Sequence, residues 1–250
     1  MKPASLELAV IGNCQISALV DERGSIVWCC LPRPDGDPVF SALLSPAEGT
    51  GRFAIELVDF SHSEQRYLPN TAIVETILHD THGAQARITD FCPRFRSRGR
   101  MFRPMTLARI VEPLCGRPVI RVHMSPTRSY GLRAAPVRGG TNHQSFRARD
   151  VDFRITTDFS LTAIEEGRCV VLERRLHFLM GPDETVEESL PSLLGSFLAE
   201  TQVYWQDWVR TLAIPCEWQE VVIRAAITLK LCTYEDTGAL LAALTTSIPE

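Results

Sequence analysis

The amino-acid sequence predicts a mainly β protein: an antiparallel sandwich of two sheets followed by a helical arm. Three observations point there. From Leu6 to about His177, short runs of β-type residues are separated at even intervals by Gly, Pro, Asn and Asp signals. Helix signals are nearly absent from that stretch. After Pro182 the apolar period shifts from two toward three or four residues, and Glu, Leu and Trp replace alternating Val, Ile and Thr.

Taken in order, the first expected strands are Leu8 to Ile11, Ile16 to Val20, Ser25 to Cys30, Arg52 to Leu57 and Ala72 to His79. Asp21-Glu22-Arg23-Gly24 fits a hairpin turn, its glycine supplying positive φ. A second set covers Ala86 to Phe91, Met105 to Glu112, Val119 to Met124, Phe153 to Ile164 with an internal break, and Cys169 to Phe178. Their length and spacing suit a large two-layer sheet. Beyond Pro182, Pro191-Ser192 starts a linker helix. Its stripe of Leu194, Phe197, Leu198, Thr201, Tyr204, Trp205 and Trp208 suits core packing better than sugar stacking. Pro215 opens a second helix with Trp218, Val222, Ala225, Leu229 and Cys232 on one face, ending near Tyr234 to Gly238. The chain then reaches Pro249 and Glu250 with no partner in view for that apolar face.

Composition narrows the function classes. The 250 residues are 45% hydrophobic and 22% charged, as in ordinary globular proteins. The net charge of −4 leaves no electrostatic footprint for nucleic acid or an anionic membrane. No signal-like start and no long apolar run are present, so the chain reads as cytoplasmic. The eight cysteines form no CxxC pair and no zinc-closing spacing with His, so most of them are expected to be buried thiols in a reduced chain.

Several tempting residues have plain readings. The Arg- and Phe-rich segment Pro93 to Pro104 is expected to be a solvated hairpin loop, and Arg133 to Asn142 a surface loop. His79-Asp80-Thr81-His82 reads as a turn, because i and i+3 imidazoles do not converge on a strand. No metal site is assigned and no cofactor is expected. Cys29 and Cys30 are expected on opposite faces of one strand. Asp21, Asp35, Asp37 and Asp90 are expected at turns or strand ends, and Glu235 and Asp236 are expected to be solvated beyond a helix end.

Ordered motifs then connect the chain to a known family. Residues 11–44, IGNCQISALVDERGSIVWCCLPRPDGDPVFSALL, are followed in sequence by Arg66-Tyr67-Leu68-Pro69-Asn70-Thr71, Glu75-Thr76, Ile88-Thr89-Asp90-Phe91-Cys92-Pro93 and Arg109-Ile110-Val111-Glu112. Residues 225–250, AAITLKLCTYEDTGALLAALTTSIPE, complete the series. Together they resemble the bacterial family 15 glycoside hydrolases, of glucoamylase, glucodextranase and trehalase type. One departure is Leu244, where that family often has Pro.

The resemblance implies an N-terminal β-supersandwich over 1–182, a linker helix over 183–212, and the truncated start of an (α/α)6 catalytic barrel over 213–250. It implies inverting hydrolysis of an α-glucosidic bond, with two carboxyl groups about 6.5–9.5 Å apart. In the family both are barrel glutamates, downstream of Glu250, so no catalytic residue is assigned and the chain is expected to be inactive alone. Thr245, Thr246 and Ser247 would lie at the active-site rim, although a purely structural role, with their hydroxyls capping a turn, is the favoured reading. Trp28 and Arg33 would serve the domain interface. The expected partner of the complete enzyme is an α-glucan oligosaccharide or trehalose. The open face of the helix over 218–232 predicts self-association, or else mobility of residues 212–250. The rival expectation is a standalone carbohydrate-binding or interaction module without hydrolase activity.

Overall fold

The computed structural model describes residues 6–44 and 49–248. The expected chain end at Pro249 and Glu250 lies outside them. In chain order the strands are β1 (Ala9–Gly12), β2 (Ser17–Val20), β3 (Ile26–Cys30), β4 (Pro38–Ser41), β5 (Phe53–Leu57), β6 (Phe60–Tyr67), β7 (Val74–Asp80), β8 (Gln85–Phe91), β9 (Phe95–Ser97) and β10 (Arg100–Phe102). They continue with β11 (Leu107–Cys115), β12 (Val119–Met124), β13 (Thr127–Arg128), β14 (Arg133–Ala134), β15 (Val137–Gly139), β16 (His143–Arg147) and β17 (Asp152–Thr157). A short helix α1 (Leu161–Glu165) precedes β18 (Val170–Val171) and β19 (Leu176–Pro182). Two longer helices follow, α2 (Leu190–Arg210) and α3 (Gln219–Leu231), and then a small hairpin of β20 (Thr233–Tyr234) and β21 (Ala239–Leu240).

The fold is mainly β and antiparallel. One sheet runs β1-β2-β3-β5-β12-β18, with β4 also paired to β3, and the other runs β15-β16-β17-β19-β11-β8-β7-β6. Alternate side chains of both sheets meet in one apolar layer that includes Ile11, Ile26, Phe40, Phe53, Ile88, Val111, Phe153 and Phe178. Phe53 of the first sheet meets Phe178 of the second edge to face at 5.6 Å. The Asp21 turn forms as expected: Gly24 N–H donates to the Asp21 carbonyl at 2.9 Å, and the Asp21 carboxylate accepts from the Arg23 and Ser25 amides. Gly24 has φ +73°, and a Cβ there would sit 3.1 Å from Ile88 Cδ1, so both conformation and space call for glycine.

Arg109 is the largest departure from an apolar core. Its side chain and that of Asp90 are fully buried and paired across β11 and β8, with Nε 2.7 Å from Oδ1. The same guanidinium donates to the carbonyls of Phe53 (2.7 Å) and Gly24, both contributed by the first sheet. Asp90 does stand at the end of β8, as expected, but its role is not that of a turn residue. It neutralises a cation that ties the two layers together, and burial without that partner would cost several kcal/mol, on the order of 3–5. Asp37 is likewise more than a turn residue. Buried behind β4, it accepts from the amides of Ser129 and Tyr130, two residues held at φ near +56°.

The expected strand over Phe153 to Ile164 divides into β17 and α1, because Ser160 caps the helix by accepting from the Ala163 amide. The expected run Cys169 to Phe178 divides between the two sheets as β18 and β19. The Pro93 to Pro104 segment is a hairpin with Arg98 and Gly99 both at positive φ. It is not simply solvated. Phe95 and Phe102 pack against each other at 4.8 Å and against Phe197 of α2 at 5.6 and 5.4 Å, with tilted rings. Arg133 to Asn142 is largely exposed, as a surface loop should be, but part of it is β15, the edge strand of the second sheet.

Candidate functional site

The C-terminal arm is fastened to one end of the sandwich, and this junction is where the rim candidates fall. Along α2, Leu194, Thr201 and Trp205 are fully buried, the packing reading of the stripe. Thr201 belongs there because its hydroxyl accepts the Arg94 amide at 3.1 Å. On α3 the face against the sandwich is Ile223, Ile227 and Leu231, which join Val10, Ala72, Trp205 and Val209 in a separate apolar cluster. This corrects the expected face. Ala225 and Leu229 point away and are exposed, as are Val221 and Trp218, which caps the helix in left-handed conformation at φ 60°. The helix thus has two apolar sides, one packed and one open. Gly12 of β1 is needed for the packed side, since a Cβ there would meet Leu231 Cδ2 at 3.3 Å and the Ile16 carbonyl at 2.9 Å.

Below α3 an ionic network closes the joint. Arg94, whose side chain is 2% exposed, donates to the Asn13 carbonyl and to Glu235 Oε1, each at 2.6 Å. Its guanidinium also lies over the Tyr204 ring at 4.8 Å. Lys230 Nζ reaches the same Glu235 oxygen at 2.6 Å, and Arg103 reaches the other at 3.2 Å. Arg103 also pairs with Asp236 at 2.5 Å. Glu235 is therefore bound into the joint, contrary to the expected solvated position, whereas Asp236 is exposed as expected though paired with Arg103. The physical reason is that the two arginines framing the β9–β10 hairpin point toward the arm. Burial pushes the Glu235 carboxyl up, yet hydrogen bonds from Arg94 and Lys230 outweigh it and hold it below the ordinary glutamate range. The hydrogen bond from Arg103 lowers Asp236 as well. A general acid must keep its proton near neutral pH. Both groups are held in the opposite state, which does not suit a general acid.

Beyond β21 the chain folds back along β3. Trp28, 1% exposed, donates its indole N–H to the Leu244 carbonyl at 2.9 Å. The Cys30 sulfur lies 3.3 Å from the Ser247 hydroxyl, and burial pushes that thiol up to about 11 despite this hydrogen bond. Cys29 faces the inter-sheet core, so the two thiols do point opposite ways. Of the three rim candidates, Ser247 is buried, Thr245 half-buried and Thr246 exposed. Their turn is closed by backbone bonds, Thr246 N–H to the Ala243 carbonyl and Ile248 N–H to the Thr245 carbonyl. Arg33 stands apart in an exposed pair with Asp35.

A recess of about 330 Å³ lies between the β9–β10 hairpin and α2, lined by Phe95, Met101, Tyr204, Asp207 and Trp208. Elsewhere, His79 and His82 go to different carboxylates, Glu64 at 3.7 Å and Asp59 at 3.5 Å. The sequence reading missed Glu64 and its neighbour His62, which β6 aligns with His79. No helix among the described residues is long and apolar enough to cross a membrane.

Residues 3–167 match a family model described as trehalase-like, N-terminal. The chain is 28% identical over 281 residues to a trehalase of Mycolicibacterium smegmatis, covering 99% of this chain and 41% of that protein. It is 28% identical over 286 residues to a trehalase of Mycobacterium tuberculosis, covering 99% of this chain and 40% of that protein. A Thermoplasma acidophilum trehalase is 29% identical over 246 residues, covering 93% of this chain and 41% of that protein. The chain thus spans about two fifths of the length of the curated relatives it matches. No solved structure matches it.

Proposed function

The chain belongs to the trehalase-like N-terminal family, and from that membership we propose that it is the supporting portion of an inverting glycoside hydrolase of family 15 whose catalytic glutamates lie beyond Glu250. The substrate of the complete enzyme is trehalose, by analogy with the relatives' names, ahead of an α-glucan oligosaccharide. In this reading 1–182 is the supporting sandwich, 183–212 the linker, and 213–250 the first piece of the (α/α)6 barrel. Thr245, Thr246 and Ser247 then stand at the rim of the active site.

The observation that carries the reading is the two-sided α3. Its inner ridge is committed to the sandwich, while Trp218, Val221 and Leu229 remain 77%, 64% and 68% exposed. An open ridge on a helix this firmly anchored suits further helices of a barrel, or a second copy of the chain when those are absent. Eight unpaired thiols support a reducing, cytoplasmic setting.

The test is glucose release from trehalose, maltooligosaccharides and isomaltooligosaccharides by the 250-residue chain. No turnover is expected; robust turnover would refute a catalytic pair outside it. The recess beside Tyr204 and Trp208 favours a second reading, a carbohydrate-binding module. Calorimetric titration with the same sugars separates the two, since affinity without hydrolysis supports the module.

A further inference from the structure

We propose that the outer face of the β6–β7 hairpin is a binding site for a divalent transition metal, zinc being the fitting ion, with His62, Glu64 and His79 as its protein ligands. β6 is the edge of the second sheet and pairs antiparallel with β7, with His62 directly opposite His79. A bulge at Ser61 sets this register. Two residues on, Glu64 returns to the same face, as strand alternation requires. The result is a potential ligand atom from each of three side chains, all within 4.8 Å of one another.

The surroundings suit a cation. The imidazole rings of His62 and His79 face each other at 4.2 Å with an interplanar angle of 10°. The His79 side chain is only 16% exposed, and its Nε2 is buried without a hydrogen-bond partner while facing Glu64 Oε1 at 3.7 Å. His62 has Nδ1 within 3.3 Å of the Ser61 hydroxyl. In the tautomer whose Nδ1–H donates to that hydroxyl, Nε2 keeps its lone pair for a metal, the way a second shell fixes a histidine tautomer. Among the described residues no Lys or Arg pairs with the carboxylate: Arg66, the next residue on that face, pairs with Glu75 at 2.8 Å.

Two imidazoles and one carboxylate favour zinc, nickel or copper over magnesium or calcium, which take oxygen ligands. Bringing the donors to zinc distances of about 2.0–2.2 Å requires the rings to tilt about χ2 and Glu64 to swing inward. Two of the three side chains are exposed, so this rearrangement disturbs no core packing. Three protein ligands leave the fourth tetrahedral position to water. The ion would clasp the polar edge strand β6 to β7, stiffening the boundary of the sheet.

The test titrates zinc into the 250-residue chain by calorimetry after alkylation of its exposed cysteines, with cobalt absorption reporting the geometry. One equivalent of zinc and a tetrahedral cobalt spectrum are expected. His62→Ala and His79→Ala should each weaken binding by at least about 10-fold, and Glu64→Gln by less. Zinc should raise the melting temperature of the wild type and leave that of His62→Ala unchanged. Undiminished affinity in both histidine variants overturns the proposal, and so does binding that disappears on alkylation of the wild type.

Discussion

The sandwich and the C-terminal arm use the same ingredients, apolar faces and Arg–carboxylate pairs, to opposite ends. In the sandwich the facing apolar sides of the two sheets meet in one core, and the Arg109–Asp90 pair is wholly enclosed between layers. In the arm, α3 covers one of its two apolar sides, and the Arg94–Glu235 pair sits at a joint with 23% of the glutamate side chain exposed. The contrast separates two sheets joined by a shared core from a helix with one apolar ridge left exposed. Burial in the first serves cohesion; in the second it fixes the orientation of a helix whose other side stays open.

Substitutions can break that comparison at either end. The largest effect is expected from Asp90→Ala, which strands the Arg109 guanidinium between the sheets and should cost about 3–5 kcal/mol in urea unfolding. A loss below about 1 kcal/mol would show that the pair does not bind the layers together. On α3, Ile227→Ala should cost about 2–4 kcal/mol, whereas Leu229→Ala on the open side should change stability by less than about 0.5. Sedimentation should show Leu229→Glu relieving any self-association. Equal costs at the two positions would mean that the ridge is not open.

A smaller effect is expected from Glu235→Gln, about 1 kcal/mol. Its sign with pH is informative. Because the folded carboxyl lies below its ordinary value of about 4.3, its stabilisation is complete above that pH and disappears as pH falls through the depressed value. Tryptophan fluorescence on acidification should therefore report a steeper release of the arm in the wild type than in Glu235→Gln. The smallest effect is expected at the exposed Thr246, where alanine should leave the melting temperature within about 1 °C.

Much of this architecture was legible along the chain. Alternation marked most of the sandwich strands, and the change of period after Pro182 marked the helices. The strands that escaped notice lack that signal. β6, Phe-Ser-His-Ser-Glu-Gln-Arg-Tyr, is an edge strand with one side in water, so only its backbone pairing reveals it. β4 begins at a proline and is four residues long. The site residues divide similarly. Thr245, Thr246 and Ser247 were reached through ordered family motifs, but nothing local showed that Ser247 is buried against Cys30 while Thr246 is exposed.

The sequence by itself determined the class of the fold, the place where strands give way to helices, and the family, because periodicity and motif order are properties of neighbouring residues. Only the tertiary structure decided which charges meet. Arg109 with Asp90 are 19 positions apart, Arg94 with Glu235 are 141, and His62 faces His79 across a hairpin. The same holds for α3, whose apolar residues occupy more than one side. Helical spacing gives each side equal standing, and the shape of the sandwich beneath Gly12 and Trp205 selects Ile223, Ile227 and Leu231. Long-range packing chooses among faces that local sequence leaves equivalent, and here it also leaves one of them open.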